Sequence, residues 1–121
     1  MEDAQRLDGC RLVFSDGGDG SLAVAASGEF DLVNAGDIHR VLGAAVGASN
    51  ITLDLGRVEF IDSSGLTALL RVAEIARHAG RPLNLVRLTS NTRRLIEITG
   101  IADFLGVGES QERRTGSPTT A

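Results

Sequence analysis

The residues from Leu53 to Leu70, LDLGRVEFIDSSGLTALL, change hydrophobic period partway along, and that change limits what the chain can fold into. Ile51 to Leu55 reads as a buried strand, followed by a turn at Gly56-Arg57 and a short apolar run from Val58 to Ile61. After Asp62-Ser63-Ser64-Gly65 the period becomes helical: Leu66, Leu69, Leu70 and Ala73 fall at i, i+3, i+4 and i+7. Ser63 and Ser64 stand at the start of this helix, where a hydroxyl accepts from an orphan backbone N–H. Two readings of the serines stand side by side. One is an N-cap and nothing more. The other is a phosphorylation switch, because free N–H groups and the positive end of the helix dipole tolerate a phosphate without refolding. Such a phosphate adds roughly −1.5 to −2 charges beside Asp62.

The rest of the chain narrows the choice. At 121 residues it is long enough for one domain with a substantial core. It has no apolar run of about 18 residues, so no membrane span is expected. The opening MEDAQRLDGC lacks the basic and apolar regions of a signal peptide, which makes a cytoplasmic location the expectation. Cys10 is the sole cysteine, leaving neither an internal disulfide nor a zinc cluster. The net charge of −4 and the four aromatics, all Phe, argue against nucleic acid as a direct partner. All twelve basic residues are arginine, which excludes a P-loop lysine and Schiff-base chemistry.

Taken in order, residues 1–9 read as frayed, and Cys10–Ser15 and Ser21–Ser27 as an antiparallel hairpin closed by Asp16-Gly17-Gly18-Asp19-Gly20. The two aspartates of that loop lack the spacing of a calcium site. A helix is predicted over Asn34–Gly47, with Ile38, Val41, Leu42 and Ala45 inward and Asp31 or Asn34 as cap. A second runs from Ser64 to about Ala79, stopped by Gly80. Leu83–Leu88 reads as a strand, and Thr89-Ser90-Asn91 caps a short helix with Leu95 and Ile98 inward. A last strand is expected around Phe104–Val107, and residues 109–121 read as a flexible tail. The fold class is α/β: a small mixed sheet in the order β-β-α-β-α-β-α-β, with helices mainly on one face, occupying residues 10–108.

Catalysis finds little support. His39 lies on the first helix and His78 at the far end of the second, about 22 Å from Ser63 for a helix of about 15 residues. No nucleophile elbow, cofactor fingerprint or metal-ligand set is present, so no cofactor is expected, and Asp31, Asp54 and Asp62 are the residues an enzyme would have to use.

Three segments together resemble the STAS domain: Gly28-Glu29-Phe30-Asp31, then Leu53-Asp54-Leu55 running into Val58-Glu59-Phe60-Ile61-Asp62-Ser63-Ser64-Gly65-Leu66, and Arg93-Arg94-Leu95-Ile96-Glu97-Ile98-Thr99-Gly100-Ile101. Within that group the chain is similar to the bacterial anti-sigma factor antagonists, which are not enzymes. The resemblance implies phosphorylation of Ser63, or less favourably Ser64, by a serine/threonine kinase that is also the anti-sigma factor. A metal-dependent serine phosphatase would reverse it. It also implies a partner-binding surface of Asp31, Asp62, Ser63, Ser64, Gly65 and Leu66 on a monomer or weak dimer serving stress-response or sporulation control. The family's fourth helix has no counterpart in the polar tail. The alternative is an unphosphorylated STAS scaffold in a signalling or lipid-transport complex.

Overall fold

The computed structural model describes residues 3–100. The elements are β1 (Asp3–Leu7), β2 (Cys10–Asp16), β3 (Leu22–Phe30), α1 (Ala35–Ala48), β4 (Ile51–Ile61), α2 (Ser63–His78), β5 (Asn84–Val86) and α3 (Ser90–Thr99). They form one five-stranded sheet in the order β1-β2-β3-β4-β5, antiparallel among β1, β2 and β3 and parallel among β3, β4 and β5. The mixed sheet and the antiparallel opening hairpin are as the sequence predicts. The strand expected at Phe104–Val107, the tail after it and the question of a fourth helix lie outside the described residues.

Alternation along the strands sorts the two faces. Leu12, Val24, Ala26, Phe30, Leu53, Leu55, Val58, Ile61 and Leu85 point to one face and are buried there with Ile38 and Leu42 of α1, Leu69 and Val72 of α2 and Ile96 of α3. Each of these Val, Leu, Ile and Phe side chains contributes about 1.5–3 kcal/mol relative to exposure, so this face carries the fold. The opposite face, with Arg11, Ala25, Arg57 and Asn84, is exposed.

Four expectations need correction. The polar opening is not frayed: Asp3–Leu7 pairs with all of Cys10–Phe14 as a sheet edge. Its sequence, DAQRL, has no apolar alternation because it sits at an edge, where both sides of a strand meet water. Second, Gly56-Arg57 does not end a strand. β4 runs on for eleven residues against nine of β3, with register shifts between Ala25 and Ser27 and between Gly28 and Glu29. At the first shift the Asp54 carboxylate accepts from the Gly56 N–H at 2.8 Å, so the extra residue is accommodated without leaving the ladder. Third, β5 is only three residues long, because Arg87 turns out of it with φ 58° and its Nε donates to Asp54 at 3.0 Å. Fourth, Ile98 is 75% exposed; the inward face of α3 is Thr92 and Ile96, one turn apart, with Leu95 partly buried against the core as expected, while Ile98 lies two residues past Ile96 on the far side of the helix.

Candidate functional site

The serines occupy the first turn of α2, but the cap is Asp62. It keeps an extended backbone (φ −103°, ψ −175°), and its Oδ1 accepts from the Gly65 N–H at 2.9 Å. Ser63 and Ser64 are therefore the first two helical residues. Ser63 is exposed and Ser64 half-buried. Neither hydroxyl, and neither of their backbone N–H groups, has a hydrogen-bond partner among the described residues. The bare cap reading thus loses the serines to the acid before them. What is left is an unengaged hydroxyl over two orphan N–H groups at the positive end of a 16-residue helix.

Gly65 explains why the helix starts where it does. A Cβ there would lie 2.3 Å from the Phe30 carbonyl oxygen and 2.7 Å from the Phe30 Cβ. Glycine lets the first turn of α2 press against the end of β3, where the Asp62 N–H also donates to the Phe30 carbonyl at 3.0 Å. Gly65 and Leu66 are both buried, so their part is to seat the turn on the core.

The same junction holds the turn after β3. Asp62 Oδ2 accepts from the Leu32 N–H at 3.3 Å, while Asp31 Oδ1 accepts from the N–H groups of Val33 and Asn34 at 3.1 and 3.3 Å. Asn34 is not a side-chain cap for α1. It is fully buried, its amide donates to the carbonyls of Asp8 and Glu29, and its Oδ1 accepts from the Asp31 N–H. Two carboxylates and one buried amide therefore fix a short turn that projects Leu32 and Val33 into solvent, 76% and 70% exposed. These two residues were not among the sequence candidates. Their signal was present: they are apolar, yet they precede the α1 stripe and follow the β3 alternation, fitting neither period.

Asp31 also acts on Cys10. Burial, with the Asp31 carboxylate adding to it, pushes the Cys10 thiol up to about 11. At neutral pH it is an inert core thiol.

The ring of His78 bonds the Glu74 carbonyl at the other end of α2. Among the described residues no group of three or more His, Cys, Asp or Glu side chains could hold a metal ion. No helix among them is long and apolar enough to cross a membrane. The geometry places an exposed hydroxyl next to an exposed apolar turn, with the Asp62 carboxylate tying the two together.

Comparisons with known proteins bear on the family and the fold. The family described as "Mlab, STAS domain" matches residues 13–107. The chain is 33% identical to BtrV of Bordetella bronchiseptica over 105 residues, spanning 85% of this chain and 90% of that protein. It is 28% identical to an anti-sigma-B factor antagonist of Staphylococcus aureus over 91 residues, 74% of this chain and 84% of the other. The crystal structure of an anti-sigma factor antagonist from Mycobacterium paratuberculosis superposes with a TM-score of 0.71 at 30% identity, covering 83% of this chain and 86% of that one.

Proposed function

Because this chain belongs to the STAS-domain family, we propose that it is an anti-sigma factor antagonist whose partner binding is switched at Ser63. The unmodified protein binds an anti-sigma factor that is also a serine kinase and so frees a sigma factor in the cytoplasm. Phosphorylation of Ser63 ends that binding, and a metal-dependent phosphatase restores it. The working unit is the domain whose sheet begins with β1 at Asp3, a wider unit than residues 10–108, and the chain performs no catalysis of its own. The observation that carries this reading is the exposed, unbonded Ser63 hydroxyl at the head of α2, beside the projecting Leu32 and Val33. The names of the Staphylococcus aureus relative and the Mycobacterium paratuberculosis structure support the antagonist role.

The physics of the switch is local. A phosphate on Ser63 meets two free N–H groups and the helix dipole, which accommodate it within the folded protein. It also lies beside the Asp62 carboxylate and on the rim of the docking turn. An acid of the partner about 4 Å away would cost roughly 1–4 kcal/mol at effective dielectrics of about 80 to 20. That corresponds to a loss of affinity of up to roughly 1000-fold. No rearrangement of the domain is required.

The test is peptide mass spectrometry of the protein from its own host, wild type against Ser63→Ala. Phosphate on the peptide spanning Asp62–Gly65 that vanishes in the variant is expected. Its absence across growth and stress conditions would leave the scaffold reading in its place. Phosphate persisting in Ser63→Ala would move the switch to Ser64.

A further inference from the structure

The sheet face turned away from the helices carries a row of charge unconnected with Ser63. Arg6 of β1 stands directly opposite Arg11 of β2, Arg11 opposite Ser27 of β3, and Ser27 opposite Arg57 of β4. With strands about 4.8 Å apart, the row spans about 14 Å. All three arginines are exposed, and none has an ion-pair or side-chain hydrogen-bond partner among the described residues. Like charges directly across a strand pair are destabilising. The chain has carboxylates in excess, yet places them against Arg40 and Arg87 rather than here.

Two of these arginines also shape a cavity. An open depression of about 440 Å³ is lined by Arg6, Arg11, Ser27 and Gly28, together with the β1–β2 turn at Asp8-Gly9. The backbone builds its floor. Gly28 has φ +94°, a Cβ on it would lie 2.3 Å from the Gly9 carbonyl oxygen, and that oxygen accepts from the Glu29 N–H at 2.8 Å. Only glycine lets the turn fold down onto β3 at this point. The Ser27 hydroxyl makes no hydrogen bond among the described residues. Asp8 is the one carboxylate in the lining.

Paired planar guanidiniums, a free hydroxyl and a depression within the size range of small-ligand sites fit a multivalent oxyanion. We propose that this depression binds a phosphate-bearing small molecule. Arg6 and Arg11 fork one phosphate between them, Ser27 donates to it, and Arg57 takes a second anionic group further along the row. The phosphate belongs to a soluble metabolite or to a lipid headgroup. The chemistry is the same for both, and the site does not depend on the antagonist reading.

The ¹⁵N-labelled full chain, titrated with pyrophosphate at low salt, should show saturable shifts at Arg6, Arg11, Ser27 and Gly28. The R6Q/R11Q double variant, both positions being exposed, should keep a folded spectrum and bind at least about tenfold more weakly. Co-sedimentation with phosphatidylcholine vesicles, with and without phosphatidic acid, separates the sources. Arginine-dependent pelleting only with phosphatidic acid assigns a headgroup, and pyrophosphate binding without pelleting assigns a soluble ligand. Neither pyrophosphate binding nor pelleting, pyrophosphate shifts confined to Ser63–Gly65, or binding unchanged in the double variant would overturn the proposal.

Discussion

Asp62 and Ser63 show how finely a site is divided among neighbours. Either residue type caps helices well, and the local pattern in DSSG put the cap on the serines. What decides it is where β4 ends, and that depends on contacts with β3 that no local pattern encodes. The acid takes the cap, and the hydroxyl is left free. Gly65 was legible as part of the motif, but its reason is steric. Gly65→Ala should destabilise the fold by about 2–3 kcal/mol, since the new methyl overlaps the Phe30 carbonyl; urea denaturation measures it, and a loss below about 0.5 kcal/mol would show that the first turn yields freely. Cys10 gives a second expectation at this scale. Its folded thiol titrates near 11 rather than near 9, so the stability tied to the neutral thiol is intact below about pH 9 and lost as pH rises toward 11. At about pH 8 the native protein should resist an aromatic disulfide reagent, and urea should make the thiol react fully.

Among elements, the long periodic helices were readable because one face of each is buried. α1 and α2 fall within a residue of the expected bounds, and the parallel pairing of the strands they join follows from the connection lengths. The misses are elements whose existence rests on partners. β1 has no apolar face, β4 absorbs residues that look like a turn, and α3 turns Ile98 outward. The turn after β3 belongs with them. It is neither strand nor helix, and its rigidity comes from Asp31, Asn34 and Asp62. Leu32→Ser with Val33→Ser should leave the melting temperature nearly unchanged, because both side chains are exposed. The same pair should weaken binding to the anti-sigma partner by about tenfold or more, as apolar anchors at an interface centre do. Calorimetric titration of wild type and variant makes the comparison.

For the molecule as a whole, the proposed switch would act on a domain whose core lies to one side of the sheet and whose candidate group, the Ser63 hydroxyl, lies at its surface. The fold was therefore legible from hydrophobic period, whereas the exposed row of arginines was not, since only strand register brings Arg6, Arg11 and Arg57 together. A carboxylate at position 63 gains about 0.3–1 kcal/mol from the helix dipole and loses about as much to Asp62 in water. Ser63→Asp should consequently keep global stability within about 0.5 kcal/mol of wild type while weakening partner binding. Parallel thermal melts and binding isotherms check both. A drop in stability of about 2 kcal/mol or more would mean that the modification works by loosening the fold instead.

The two register shifts in β4 have a consequence for how the chain tolerates change. Leu55, Val58 and Ile61 are spaced three apart, so a strand of strict period two would turn Val58 outward; each extra residue in β4 resets the alternation once, and all three face the core. The extra residues therefore act as spacers. Deleting Gly56 leaves Leu55, Arg57 and Val58 in plain alternation and should yield a folded, if weakened, protein, which circular dichroism would read directly; loss of the folded spectrum would show that the bulge itself is required.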